Sequence, residues 1–163
     1  MIVAGTGHRP NKLGGYYTEA RARLVRIAMR GLCRPHTTEA ITGMALGWDT
    51  ALAVACWTLN IPFTAAVPFR GQESRWPKES QELYHWLLDR AKEVVYVCDD
   101  GYAPWKMQIR NEWMIDRCDS VLAMWNGSKG GTGNCIAYAD KVGKPVVNLY
   151  EEYKNEHHNN NKE

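Results

Sequence analysis

Short apolar runs alternate with helical periodicity along almost the whole chain, and that alternation restricts the fold more than any other feature. The runs are Ile2–Ala4, Ala40–Thr42, Phe63–Val67, Val94–Cys98, Val121–Trp125 and Val146–Leu149. Between them, apolar spacing predicts helices over Thr18–Leu32, Trp48–Leu59, Lys78–Lys92, Trp105–Arg117 and Thr132–Val142. A strand, a helix and a second strand close as a right-handed crossover between parallel neighbours. Repeated along the chain, this unit predicts an α/β fold, a three-layer, doubly wound and mainly parallel sheet of five to six strands. With 163 residues the chain is long enough for one such domain, assigned to residues 1–150. Residues 151–163 end in a polar, low-complexity stretch and read as a disordered tail.

Composition narrows the function classes. A formal charge of +2 is too small to imply a nucleic-acid binder on its own. The five cysteines show no CxxC spacing, and several lie in apolar runs, which predicts reduced, buried thiols in a cytoplasmic protein. The N-terminal apolar run is too short for a signal peptide, and no stretch has the length of a membrane span. The histidines are scattered, so no metal site is expected, and nothing calls for a cofactor. Seven tryptophans against two phenylalanines put large rings either in the core or against a flat ligand.

In a doubly wound sheet, ligands sit beyond the carboxyl ends of the strands. Here those ends carry glycines, cations and aromatics. The first loop holds Gly5, Thr6, Gly7, His8 and Arg9; the second holds Gly43, Met44, Gly47 and Asp49. The third holds Phe69, Arg70 and Gln72, and the fifth holds Trp125, Asn126, Gly130, Gly131, Thr132 and Gly133. Glycines beside a helix N-terminus expose backbone N–H groups to an anion, arginine adds charge, and a ring takes a base. Each residue also has a plainer reading: Arg9 and Arg70 as surface cations, His8 as a satisfied structural histidine, Asp49 as a helix-capping carboxylate, and Trp76, Trp105 and Trp125 as packing. Arg23, Arg26, Arg30 and Arg34 share one face of the first helix or its end, either as a solvated face or as a patch for nucleic acid or an acidic surface.

Several segments together resemble the YpsA-like branch of the SLOG superfamily. They are Gly5-Thr6-Gly7-His8-Arg9-Pro10 with Lys12-Leu13-Gly14-Gly15-Tyr16, Thr42-Gly43-Met44-Ala45-Leu46-Gly47-Trp48-Asp49, Pro68-Phe69-Arg70-Gly71-Gln72, Arg110-Asn111-Glu112-Trp113-Met114-Ile115-Asp116 and Gly130-Gly131-Thr132. The resemblance covers about residues 1–150. It implies a Rossmann-like fold, similar to the lonely-guy phosphoribohydrolases and the DNA-processing protein DprA. It also implies binding of nucleotides or nucleotide-derived ligands, including ADP-ribose-type or cyclic signalling molecules, in bacteria or in phages, by a sensor or a sequestering protein. In the phosphoribohydrolases a glutamate follows the glycine loop. Aligning Gly131-Thr132 with their GT pair puts Cys135 at that position, and a thiol replaces neither the charge nor the basicity of a carboxylate.

Three functions follow as expectations. The first is a binding module for a nucleotide-type small molecule, acting as a homo-oligomer paired through the first two helices. The second is a nucleoside 5′-monophosphate N-glycosidase, with Arg110 on the phosphate and Asp49 or Glu112 as the carboxylate. Glu112 is two residues beyond Arg110 and so off its helix face. The third, less favoured, is single-stranded DNA binding through the arginine stripe.

Overall fold

A computed structural model describes residues 1–15, 18–34 and 36–160, with the backbone alone for 157–160. Tyr16 of the opening motif, the side chains of His157 and His158, and tail residues 161–163 lie outside the described residues. The apolar runs form β1 (Ile2–Gly7), β2 (Glu39–Thr42), β3 (Phe63–Val67), β4 (Glu93–Tyr96), β5 (Ser120–Met124) and β6 (Val146–Asn148). The helices are α1 (Thr18–Cys33), α2 (Trp48–Thr58), α3 (Lys78–Arg90), α4 (Trp105–Asp116), α5 (Gly131–Lys141) and α6 (Tyr150–Asn160).

All strand pairs are parallel, in the order β4-β3-β2-β1-β5-β6. The chain builds outward from β1 to β4, then returns across the sheet to place β5 on the other side of β1. The order of travel therefore reverses between β1 and β5, which opens a crevice beyond their carboxyl ends. Successive strand residues point to opposite faces. Val3, Ala40, Ala65 and Leu122 join one core with Leu24, Ile27, Ala51 and Leu52 of α1 and α2. Their neighbours Ala4, Ile41, Ala66 and Val121 join a second core with Met114, Ile115, Cys135 and Ala139 of α4 and α5. Two apolar faces on one sheet make the three layers.

One expectation needs correction, and two others gain detail. The stretch after residue 150 is not a disordered tail over its first ten residues but α6, packed along α1. Its anchor is Tyr153, which is 6% exposed and whose hydroxyl donates to the Leu13 carbonyl and receives Arg23 Nη2 at 3.1 Å. A lone buried tyrosine in a polar segment carries too little hydrophobic periodicity to announce a helix. The arginine stripe remains a half-exposed face, with α6 carboxylates beside it: Glu152 lies 2.5 Å from Arg34, Glu156 lies 3.5 Å from Arg30 and 4.0 Å from Arg26, and the Arg23 guanidinium stacks 4.6 Å over the Tyr153 ring. Much of the apolar surface of α1 and α2 that suggested pairing is used inside the chain, since Leu24, Ile27, Ala28, Leu32, Ala51, Leu52, Ala53 and Ala55 are all buried, whereas Trp57 of α2 is 49% exposed. Cys56, Cys118 and Cys135 are buried free thiols, whereas Cys33 is exposed at the end of α1. Among the described residues no helix is long and apolar enough to cross a membrane.

Candidate functional site

A cleft of about 290 Å³ lies over the carboxyl ends of β1 and β2, at the point where strand order reverses. Gly5, Thr6, Gly7, His8 and Arg9 form its floor and one wall, Ala45 and Asp49 a second, Met107, Arg110 and Asn111 of α4 a third, and Gly131 and Thr132 the rim. The opening and closing glycine segments, more than a hundred residues apart in sequence, therefore meet.

The glycines serve two different purposes. At Gly5 a Cβ would stand 2.2 Å from the Leu52 side chain, and at Gly7 2.5 Å from the Trp48 side chain. These two positions are glycine because α2 packs directly on β1. Gly43 is bare because a Cβ would reach within 2.6 Å of the Arg110 guanidinium and 2.9 Å of Asp49 Oδ2. Nothing lies within 4 Å of a Cβ built on Gly130 or Gly131. Gly130 holds φ +148 as the residue before α5, and its carbonyl accepts the first helical bond from Asn134 N–H at 2.9 Å. Helix geometry leaves the N–H groups of residues 131 to 133 without intrahelical acceptors. Gly131 and Thr132 thus line the cleft at the positive end of the α5 dipole, with open space at the Cβ position of Gly131.

Buried charges lie beneath. Arg110 is 6% exposed; its Nη1 donates to the carbonyls of Gly43 at 2.6 Å and Ala66 at 3.2 Å, and its Nε to Asn111 Oδ1 at 3.1 Å. Among the described residues Nη2 has no acceptor. Burial lowers the Arg110 pKa from its ordinary value, and the nearby Asp49 opposes that shift. Asp49 is 6% exposed and sits within the first turn of α2, after the glycine cap Gly47. Its Oδ2 accepts the Ala45 amide at 3.2 Å, while Oδ1 is buried and has no partner among the described residues. Burial raises the carboxyl to a pKa of about 6; Arg110 and the Ala45 amide pull the other way. Met44 takes the left-handed φ of +57, which costs free energy for a side chain with a Cβ. Gln72 Nε2, bonded to the Gly43 and Met44 carbonyls at 3.3 Å each, helps to hold that turn.

Several sequence candidates lie outside the cleft. Met44 is fully buried in the α2-side core, so it supports the loop rather than a ligand. Trp125 does not line the cleft: its Nε1 donates to Ser128 O at 2.8 Å and its ring lies beside Gly133, so it braces the glycine loop. Asn126 is likewise turned to the loop, with its Oδ1 accepting Ser128 N–H at 2.9 Å and its amide donating to His8 Nε2 at 3.0 Å. His8 lines the cleft but is buried, and desolvation lowers its pKa despite the opposing Asn126 side chain, which leaves a neutral ring joining the β1 and β5 ends. Arg70 lies in a neighbouring groove, stacked 4.0 Å over Tyr96. Glu112 projects toward α5, where its charge acts on Tyr138. Cys135 is 1% exposed beneath the rim; burial pushes its thiol up to about 11, against a hydrogen bond from Thr6. It is a neutral packing group at the position where the resemblance places a glutamate.

Sequence reasoning passed over Asn11 and Lys12, in the 3-10 turn Pro10–Lys12, and Met107. Lys12 Nζ donates to Ser128 Oγ at 2.9 Å, tying that turn to the glycine loop and bringing a cation to the cleft. The sequence signal for it was its place two residues after Pro10 in a strand-end loop that already held Arg9.

The profile of the YpsA family, described as the YspA SLOG family, matches residues 3–144. The chain belongs to this SLOG family. Among individual relatives, the uncharacterized SPbeta prophage-derived protein YoqJ of Bacillus subtilis strain 168 is 35% identical over an alignment of 139 residues, and the match covers 74% of this chain and 80% of that one. Among solved structures, DNA processing protein A from Helicobacter pylori, described with a single-stranded DNA binding mode, superposes with TM-score 0.63 at 19% identity. DprA from Streptococcus pneumoniae gives 0.60 at 18%. The matches cover 90% and 89% of this chain but 63% and 48% of those proteins, so this SLOG chain corresponds to a part of each. At these identities the two superpositions establish a shared Rossmann-like fold.

Proposed function

We propose that this SLOG protein binds a nucleotide or nucleotide-derived small molecule, as a sensor or a sequestering protein, with a phosphate at the α5 N-terminus. One observation carries the reading: the α5 N-terminus, whose Gly131 and Thr132 amides lack intrahelical acceptors, borders a cleft that also holds Arg9, Lys12, Arg110 and a buried Asp49 oxygen with no partner among the described residues. An anion meets backbone donors, a helix dipole and three cations there. An unsatisfied buried carboxylate oxygen costs free energy unless a donor arrives, and a ribose hydroxyl has the right chemistry. The test is mass spectrometry of material released from heat-denatured, purified protein. An intact nucleotide derivative at near-stoichiometric yield supports the reading; an empty protein that also gives no heat with a nucleotide panel removes it.

The Asp49 contact predicts a pH dependence. The carboxylate accepts from the ligand when ionised, so affinity falls as pH drops through about 6. Calorimetry between pH 7.5 and 5 should show this decline, and Asp49→Asn should bind more weakly and lose the dependence. Losing one charge-assisted bond costs about 1.5–3 kcal/mol, one to two decades in Kd. Arg9→Ala should lose a similar factor with little change in melting temperature, because Arg9 is exposed and makes no ion pair among the described residues. Arg110→Ala is a poorer probe, since it also strips donors from the Gly43 and Ala66 carbonyls.

A second reading, N-glycosidase activity on nucleoside 5′-monophosphates, is kept alive by Asp49 alone. A carboxyl near pKa 6 in a cleft beside an arginine suits proton transfer. Chromatography for free base after incubation with nucleoside monophosphates tests it. A third reading, single-stranded DNA binding as described for DprA of Helicobacter pylori, has less behind it, since Glu152 and Glu156 of α6 sit among the half-exposed Arg26, Arg30 and Arg34 and offset part of their charge.

A further inference from the structure

α2 lacks a polar side. Its only charged residue, Asp49, is buried in the cleft. Away from the sheet it presents Thr50, Val54, Trp57 and Thr58. Both threonine hydroxyls turn back onto the chain: Thr50 Oγ1 donates to the Ala45 carbonyl and Thr58 Oγ1 to the Val54 carbonyl, each at 2.8 Å. A helix that is apolar all round belongs in an interior, yet this side of α2 stays open to solvent at Trp57 and Thr58.

The neighbouring helices extend the surface. α2 lies recessed between α1 and α3: Arg21 and Leu24 of α1 and Ser80 and Leu83 of α3 stand around Thr50 at a cavity of about 30 Å³. Further along, Trp57 meets Trp86 of α3 edge to face at 4.9 Å. Val25 and Met29 of α1 are half-buried apolar residues at the edge of the same core.

The two flanks carry opposite charge. α1 has Arg21, Arg26 and Arg30 against a single acid, Glu19. Arg21 has no ion-pair partner among the described residues, and Arg26 meets Glu156 only at 4.0 Å with its side chain 51% exposed. α3 has Glu79, Glu82 and Asp89, all exposed and without ion-pair partners among the described residues. Of the α3 cations, Lys78 stands at the helix start and Arg90 is held 3.5 Å from the Trp86 ring. A partner must therefore offer an apolar strip between a basic and an acidic edge, which is what this chain itself presents.

We propose that the α1–α2–α3 face binds a second copy of this chain about a two-fold axis running along α2. That rotation lays α1 of one protomer over α3 of the other, so the Arg21 and Arg26 side meets the Glu79 and Glu82 side twice. An axis across the helices would instead set α1 on α1 and arginine against arginine. Val54 and Trp57 lie at the centre, beside their own symmetry mates. Three helices about 10 Å apart and about 20 Å long cover roughly 600 Å² in projection, and side-chain relief raises this toward the roughly 800 Å² per partner of a stable interface. Neither Val54 nor Trp57 lines the strand-end cleft, so both clefts stay open in the dimer.

Sedimentation velocity over a concentration series, with thermal melts in parallel, tests this. The chain should sediment as a dimer, and Trp57→Glu should dissociate it while the variant still melts cooperatively. Arg21→Glu/Arg26→Glu and Glu79→Lys/Glu82→Lys each set like charges together and should raise the dimer Kd about tenfold, and the chain with all four substitutions should regain the original Kd. A chain that stays monomeric up to its solubility limit overturns the proposal, and so does a dimer that survives Trp57→Glu. Paired reversals that leave the Kd unchanged, or a fourfold variant that is not restored, overturn the pairing of α1 with α3. If a reversal unfolds the chain, Thr58→Cys decides the matter: with an added disulfide oxidant it should form more covalent dimer than the unaltered chain, and failure to do so overturns the axis.

Discussion

Gly131→Glu is expected to abolish binding of any phosphorylated ligand while the protein stays folded. The position is the first residue of α5, with nothing within 4 Å of its would-be Cβ, so the new side chain meets no protein atom at its root. Acidic residues suit the first turn of a helix, and a surface substitution of this kind shifts stability by roughly 0.5 kcal/mol or less. The carboxylate would occupy the volume assigned to the ligand phosphate and add like charge to it. Losing the anion site removes several charge-assisted bonds at once, each worth about 1.5–3 kcal/mol, so affinity should drop beyond calorimetric detection. A thermal melt alongside the titration separates the two effects. A variant that keeps its affinity would show that the α5 N-terminus is not where the phosphate sits.

Gly7→Ala should do the reverse and damage the fold. Three atoms of Trp48 stand 2.5 Å from the position the methyl group would take. Trp48 is fully buried, its Nε1 donates to the Leu122 carbonyl at 3.2 Å, and its amide donates to the His8 carbonyl at 3.2 Å. It cannot retreat without losing packing and hydrogen bonds on both sides. Overpacking in such a place costs about 3 kcal/mol, near the top of the usual range. For a chain of this size that lowers the melting temperature by roughly 6–12 °C. Gly131→Ala is the control. It adds a methyl to a helix at an open position and should be neutral or slightly stabilising. Equal destabilisation by both substitutions would contradict the division of the glycines into packing and ligand-facing sets.

That division was not legible beforehand. The Gly5-Thr6-Gly7 and Gly130-Gly131 segments look alike as text, and both suggested backbone offered to an anion. Only the neighbours across space separate them: Leu52 and Trp48 fill the place in front of the first pair, and nothing fills the place in front of the second. The same holds for the tryptophans. Trp48 and Trp125 both follow or flank glycine loops, yet one is core and the other a loop brace, while Trp76 lines the groove beside the cleft. Asp49 read equally well as a cap or as a ligand contact. The structure shows the cap at Gly47 and leaves one Asp49 oxygen buried and unsatisfied.

The amino-acid order alone determined the six strands, the first five helices and the parallel, layered sheet. Local periodicity decides which residues are helix and which are strand, and right-handed crossovers leave few ways to join them. It also carried the family, since the motifs that mark it are contiguous strings. The tertiary structure decided which of those strings share a cleft, which glycines are bare for a neighbour and which for a ligand, and that α6 lays two carboxylates along the arginine stripe. These depend on distances between residues far apart in sequence. A pattern along one chain records what each residue offers, but not which other residue arrives to take it.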